Sequence, residues 1–345
     1  MIKIGVDANG GDFGVASTVP GAIEAVRNSK DIEIVLYGDE EKIKPLLDNQ
    51  ERITIVNTKE TISMGEEDPF RAVRRGKNTS LVLAMQASKD KEIDAVVTSG
   101  PTQAVVMAAH IIIKRIPEME RVALCPIIPN FDCKPRLLLD VGANVELKKE
   151  HFGEFAIFAS VIMEELFQKK NPSVGYLNIG SEPGKGRQLD KEAYEYLHEL
   201  KDINFYGNVE ANQALDSPCD IIVTEGYGGN ILLKASEGTA KIMGRILKQE
   251  IKSSFGGKFG YLFMRKNLKR FAKRMDSSEV GGAMILGVGS PCIKAHGSSD
   301  PHAIAMAIKQ AEMMVKTDII KKAQTRISEL KANLKVEEGQ NSNEE

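Results

Sequence analysis

A chain of 345 residues is long enough for one large α/β domain or two smaller ones, at about 150 residues each. Its 42% apolar content supports a core without disulfides, and a formal net charge of −2 excludes nucleic-acid binding by overall charge. Tryptophan is absent and aromatics make up only 6%, which argues against stacking platforms for single-stranded nucleic acid.

The opening run "IKIGVD" (2–7) is the first of several short apolar stretches that read as strands. The others are "IEIVLYG" (32–38), "RITIVN" (52–57), "DAVVTSG" (94–100), "RLLLDVG" (136–142), "SVGYLNIG" (173–180), "INFYGN" (203–208) and "DIIVTEG" (220–226). Continuous apolar runs of this length fit strands buried on both faces, as in parallel sheets. Helical patterns such as 151–170 and 191–201 separate them, and this alternation predicts βαβ units. The polar, acidic segment 335–345 predicts a disordered tail, leaving 1–334 as a single α/β domain. No signal peptide and no apolar run of about 18 residues is visible, so a cytoplasmic, soluble protein is expected. Cys125, Cys133, Cys219 and Cys292 are scattered without a CxxC pair. They read as small buried residues, and no metal site is expected.

At least five strands end in glycine and small polar residues: "DANGGDFG", "TSGPTQA", "DVGANVE", "NIGSEPGKGR" and "TEGYGGN". In an open parallel sheet such ends share one edge, and backbone N–H groups at glycine turns and helix starts favour an anion there. None is a nucleotide fingerprint, since "GYGGN" is not GxGxxG and "SEPGKGR" is not GxxxxGK[ST]. Lys185 lies among glycines on its loop and offers a point charge for a phosphate. Three of the five residues from Gly226 to Asn230 are glycine, which implies unusual dihedrals or close approach. Late in the chain "IKAHGSSD" gathers Lys294, His296, Ser298, Ser299 and Asp300. A nucleophilic triad needs its serine on a constrained turn, and no GxSxG is present. Helix capping by Ser299 or Asp300, with Pro301 opening a helix, explains part of the cluster. Lys294 and His296 then read as anion or oxyanion ligands.

Eight motifs run in one order along nearly the whole chain: "IGVDANGGDFG…VPGA", "RAVRRGKNTS", "LLLDVGANVE", "YLNIG…KG", "INFYGNVE", "EGYGGNILLKASEG", "VGGAMILGV" and "IKAHGSSD". Together, over roughly residues 1 to 320, they resemble the bacterial phosphate acyltransferases of phospholipid synthesis. The resemblance implies a three-layer α/β/α Rossmann-like fold of the isocitrate/isopropylmalate dehydrogenase and phosphotransacetylase type, mostly parallel and with a helical insert. It implies a homodimer that needs no cofactor. Inorganic phosphate would attack the thioester of a fatty acyl group on acyl carrier protein, and the acyl phosphate would pass to a membrane-embedded glycerol-3-phosphate acyltransferase. By similarity Lys185 and Asn230 are the first catalytic candidates, followed by Lys294 and His296. Asp7, Gly10, Gly11 and Asp12, Asn144, Gly226, Gly228 and Gly229, and Ser298 and Ser299 are the candidates for holding phosphate or substrate. Three departures stand out: "TSGPTQA" replaces the family's SAGNTGA, putting Pro101 for asparagine and Gln103 for glycine; "SMGEEDP" is one residue longer; and Arg187 stands where asparagine is usual.

A helical insert is expected at about 245–280. Within it, residues 251–275 hold eight Lys or Arg and no acid, with Leu268, Phe271, Ala272 and Met275 at helical spacing. A basic amphipathic helix of this kind suits a membrane surface, with Tyr261, Leu262, Phe263, Met264, Lys266, Lys269 and Arg270 as contacts. Docking of the acidic carrier protein and packing between subunits are the rival readings. Within enzymes the alternative is a short-chain phosphotransacetylase using acyl-coenzyme A; outside them, a non-catalytic carrier-binding scaffold. A dinucleotide dehydrogenase lacks its fingerprint.

Overall fold

The computed structural model describes residues 1–47, 51–132, 134–274 and 281–341. Cys133 and Met275 therefore lie outside the described residues. The first half alternates strand and helix: β1 (Ile2–Asp7), α1 (Val15–Asn28), β2 (Ile32–Gly38), α2 (Glu40–Ile43), β3 (Ile53–Asn57), α3 (Pro69–Arg75), α4 (Ser80–Lys89), β4 (Ala95–Thr98) and α5 (Thr102–Ala108). Two short strands follow, β5 (Ala123–Cys125) and β6 (Ile127–Ile128). A second alternating run is β7 (Arg136–Leu139), α6 (Lys149–Phe167), β8 (Ser173–Asn178), α7 (Gln188–Glu199), β9 (Asn204–Glu210) and β10 (Ile221–Val223). The chain then projects two long helices, α8 (Gly226–Ser253) and α9 (Phe255–Arg274). It returns through β11 (Ala283–Leu286), β12 (Cys292–Lys294), α10 (Pro301–Lys316) and α11 (Ile319–Asn341).

The expected parallel pairing is present, but the strands form two sheets. One has seven strands in the order β3-β2-β1-β4-β12-β11-β5, and the other five in the order β6-β7-β10-β8-β9. Among the described residues the antiparallel strand pairs are β11 with β12, β11 with β5, and β6 with β7. The sheets meet where Val141 N–H donates to the Leu124 carbonyl, 3.1 Å. Strand cores such as Ile4, Val6, Val96 and Val97 are buried, as continuous apolar runs require. In α6 the buried side chains lie on nearly every face, Phe152, Phe155, Phe158 and Ile162 among them, because α7, α11 and the second sheet enclose it.

Three local outcomes differ from the sequence reading. β5, β6, β11 and β12 were not expected, each being two to four residues long beside proline or glycine. The segment from residue 335 continues α11 to Asn341, since lysine and glutamate sustain a helix already begun; residues 342–345 lie outside the described residues. The helical insert starts earlier than 245, because α8 begins directly at Gly226. Among the described residues no helix is long and apolar enough to cross a membrane.

Candidate functional site

β1, β4 and β12 are adjacent and parallel, so their C-terminal ends share one edge. The register aligns Asp7 with Thr98, and Thr98 with Lys294, in one row across the three strands. Thr98 Oγ1 donates to Asp7 Oδ2 at 2.7 Å, while Asp7 Oδ1 has no hydrogen-bond partner among the described residues. Burial pushes the Asp7 carboxyl up, opposed by the Thr98 hydroxyl and the Lys294 charge. Lys294 is only 8% exposed, and its ammonium donates to the Ala295 carbonyl. Burial, reinforced by the Lys234 charge, brings its pKa down to about 8, with Asp12 and Asp7 pulling the other way. The first glycine loop closes over this edge: Ser99 Oγ donates to Gly10 O at 2.9 Å, and Asp12 N–H to Gly297 O at 2.8 Å.

His296 is exposed beside this row. Its Nδ1 accepts the Ser298 N–H at 3.2 Å and lies 2.8 Å from Ser298 Oγ. An accepting Nδ1 leaves the neutral ring's proton on Nε2. Desolvation, aided by Lys294, Lys234 and Lys241, pushes the imidazole below its ordinary pKa, against the pull of Glu237. Ser299 is buried and its N–H donates to His296 O, 3.0 Å. As anticipated, Asp300 caps α10 by accepting the Ala303 N–H at 2.8 Å, and Pro301 opens the helix.

The second sheet's edge is built differently. Asp140, fully buried, takes the N–H groups of Leu124 (2.9 Å), Ala143 (3.0 Å) and Asn144 (2.7 Å), and the Asn144 amide at 2.8 Å. The Asn144 amide also donates to Val122 O at 2.6 Å, so this candidate ligand spends its donors on the fold. Gly226 and Gly229, in the first turn of α8, serve close packing within the chain. A Cβ at Gly229 would lie 2.0 Å from Asp140 O, and one at Gly226 would lie 2.3 Å from Asn144 O. Glu225 caps α8 by accepting from Tyr227 N–H (2.6 Å) and Gly228 N–H (3.0 Å), which occupies those two donors.

Lys185 lies on the loop after β8, half-exposed, 3.8 Å from Glu182. Asn178 Nδ2 holds that loop at Lys185 O, 3.2 Å, and Asn208 Nδ2 at Glu182 O, 2.8 Å. Arg187 closes it: its guanidinium donates to Asp190 at 2.9 and 3.0 Å and reaches Glu225 at 3.4 Å. Burial alone would raise the Asp190 carboxyl, but Arg187 and the Tyr176 hydroxyl hold it below the usual carboxylate range.

A cleft of about 1550 Å³ joins the two edges. Lys294, His296, Ser298, Ser299, Asn230 and Gln103 are among its polar lining residues, with Lys234, Glu237 and Lys241 of α8. Leu233, Leu247, Ile251, Leu268, Phe271 and Ile127 contribute apolar lining. Of the four catalytic candidates, Asn230, Lys294 and His296 thus converge and Lys185 does not line the cleft. Neither do Asp7, Gly10, Gly11, Asp12, Asn144, Gly226, Gly228 and Gly229. The expected membrane contacts divide: Tyr261 lines the cleft, while Leu262, Phe263 and Met264 are exposed at 68%, 77% and 52%. Lys266 and Arg270 are exposed, and the Lys269 side chain lies outside the described residues.

Sequence reasoning missed Thr98, Asp140, Lys234, Glu237 and Lys241. Lys234 and Lys241 carried a signal, a heptad spacing on one helix face, whereas Asp140 looked like an ordinary strand end. Cys125, Cys219 and Cys292 are buried as expected, and burial pushes their thiols up, Cys292 to about 12. Among the described residues no group of three or more His, Cys, Asp or Glu could hold a metal ion.

A family model described as "Fatty acid synthesis protein" matches residues 2–322. The phosphate acyltransferase of Acholeplasma laidlawii is 44% identical over 324 residues, covering 93% of this chain and 97% of that protein. That of Oceanobacillus iheyensis is 45% identical over 318 residues, covering 92% and 95%. Among solved structures, a phosphotransacetylase from Streptococcus pyogenes aligns with TM-score 0.56 at 18% identity, covering 95% of this chain and 94% of its own. A 4-hydroxythreonine-4-phosphate dehydrogenase from Klebsiella pneumoniae aligns with TM-score 0.50 at 9% identity, covering 91% and 99%. These two share the Rossmann-like α/β fold with this chain. The sequence relatives go further: the chain is an acyltransferase and belongs to the phosphate acyltransferase family of fatty acid synthesis proteins.

Proposed function

We propose that this phosphate acyltransferase cleaves the thioester of a fatty acyl group on acyl carrier protein with inorganic phosphate, giving acyl phosphate and free carrier thiol. The observation that carries the reading is one cleft lined both by Lys294, His296 and Asn230 and by apolar side chains of α8 and α9. A phosphate oxygen attacks the thioester carbon and the C–S bond breaks from the tetrahedral oxyanion. The proton of hydrogen phosphate ends on the departing sulfur. Phosphate is itself the nucleophile, so the reaction asks the protein for positioning and charge. The Lys294 ammonium is suited to hold the phosphate, and the Asp12 and Asp7 charges favour its charged form. The His296 Nε2–H and the Asn230 amide are neutral donors suited to the oxyanion. One such preorganised donor is worth on the order of 3 kcal/mol.

The same reading assigns the acyl phosphate to a membrane-embedded glycerol-3-phosphate acyltransferase, with this protein a homodimer peripheral to the membrane. Supporting it, the α8–α9 pair exposes Phe259, Leu262 and Phe263 beside a basic face that suits anionic lipid. A second reading, an acyl-coenzyme A phosphotransacetylase, is favoured by the likeness to the Streptococcus pyogenes structure.

Trapping with hydroxylamine separates them. Palmitoyl-carrier protein plus phosphate is expected to yield palmitoyl hydroxamate. A preference for acetyl-coenzyme A would transfer the assignment to the second reading. No hydroxamate from either thioester would end both.

A further inference from the structure

One face of α8 carries cations along the cleft. Asn230, Lys234, Glu237, Lys241 and Lys248 all line the cleft and fall in one line on the helix, at spacings of three, four and seven residues. Glu237, the acid in that line, lies 3.4 Å from the Lys234 ammonium and pairs with it. Lys241 and Lys248 are exposed and have no ion pair among the described residues. Lys241 still bears on the reacting end, since its charge helps to push the His296 imidazole below its ordinary pKa. A cation left unpaired in the lining of a substrate cleft calls for an anion on the substrate.

Thioester donors carry one at a fixed reach. The acyl group of a carrier protein or of coenzyme A hangs on a pantetheine arm that ends in a phosphate. Roughly 13 bonds separate the sulfur from that phosphorus, an extended reach of about 16 Å by the advance per bond of an extended chain. At 1.5 Å per residue, Lys234 lies about 6 Å along the axis from Asn230, Lys241 about 16 Å and Lys248 about 27 Å. With the thioester carbonyl at Asn230, the phosphate of an arm laid along α8 comes level with Lys241, past Lys234 and well short of Lys248. A flexible lysine meets such a singly charged phosphate as a point charge.

We propose that Lys241 binds the phosphate of the pantetheine arm, an anchor that carrier-protein and coenzyme A thioesters share. The inference rests on the phosphorolysis reading above and deepens it, adding to the inorganic phosphate site at Lys294 a second anion site for the thioester donor.

Two small donors, octanoyl-phosphopantetheine and octanoyl-pantetheine, differ only in that phosphate. Both are assayed by hydroxamate yield at saturating inorganic phosphate with the unsubstituted enzyme, Lys241→Gln and Lys248→Gln. Both lysines are exposed, so neither substitution should remove the fold. The unsubstituted enzyme is expected to favour the phosphorylated donor by about tenfold in kcat/KM, the scale of one hydrogen bond to a charged group. Lys241→Gln should lose that preference, its KM for the phosphorylated donor rising to that for the other, as removal of a uniform binding contact requires. The influence of Lys241 on His296 acts on both donors alike and cancels in the ratio. Lys248→Gln should keep the preference. A preference that survives in Lys241→Gln, or that the unsubstituted enzyme lacks, overturns the anchor and leaves the phosphorolysis reading standing. Equal slowing of both donors overturns it too, giving Lys241 to the reacting groups. So does an equal loss of preference in Lys248→Gln, which would mean a diffuse field rather than a contact. Carrier and coenzyme A thioesters then distinguish the sources: whichever the unsubstituted enzyme prefers is expected to lose about tenfold in Lys241→Gln. If the unsubstituted enzyme yields no hydroxamate from any thioester, the phosphorolysis reading fails and this inference with it.

Discussion

Lys294 shares its row with Asp7 and Thr98, and its ammonium is nearly enclosed. With a pKa of about 8 in the free protein, it loses the charge proposed to hold phosphate as pH rises through that value. The kcat/KM for phosphate should fall about tenfold per unit above pH 8, and the limb in kcat should lie at higher pH because bound phosphate favours the ammonium. A flat profile to pH 9.5 would remove Lys294 from phosphate binding. The linkage has the opposite sign for stability. The folded pKa is depressed from 10.5, so the buried charge costs stability below about pH 8, and the cost is relieved as pH rises toward 10.5. Lys294→Met should therefore lower turnover by about 100-fold or more. Its melting temperature at pH 7 should be unchanged or higher, with a gain of up to about 3 kcal/mol. Lys185→Ala tests the first sequence choice against this one. Half-exposed and off the cleft, Lys185 should matter less than Lys294, and the reverse order of activities would relocate the anion site to the second sheet.

Among the elements, α8 decides the geometry of the site. Its first turn lies so close to Asp140 that an added methyl at Gly229 would meet the carbonyl oxygen at 2.0 Å. Neither partner can yield without moving backbone, so Gly229→Ala should cost about 1–3 kcal/mol, read as a lower melting temperature. It should lower turnover too, because Asn230 is the next residue. An unaltered melting temperature would mean that α8 sits further from the sheet. The "EGYGGN" stretch was legible as a glycine turn where something comes close, but what comes close is the chain's own 140–144 segment. Such a partner is remote in sequence, and no local pattern announces it. The eight strands named from the sequence were readable because burial on both faces leaves continuous apolar runs. β12 was not, because Cys292 and Ile293 between Pro291 and Lys294 make no such run, and it is β12 that carries Lys294 beside Thr98. The cluster "IKAHGSSD" was therefore recognisable as chemistry before its position was knowable. Gln103 shows the converse: a departure from the family pattern that places an amide in the cleft.

At the scale of the whole molecule, two strand edges and one projecting helix pair divide the labour. The first edge supplies charge, the second anchors α8, and α8 with α9 supplies the apolar wall. The outer side of the pair exposes Phe259, Leu262 and Phe263, at 65%, 68% and 77%. If this side meets lipid, Phe263→Glu should weaken binding to anionic vesicles, measured by co-sedimentation, and leave turnover of a soluble thioester unchanged. Equal vesicle binding by both proteins would assign the side to another partner. The central claim, that phosphate itself breaks the thioester, is tested most directly by following carrier thiol release with and without phosphate, alongside the phosphorus-31 signal of acyl phosphate. Thiol is predicted to appear only when phosphate is present, one for each acyl phosphate formed. Thiol release at the same rate without phosphate would instead identify a thioester hydrolase and contradict the account.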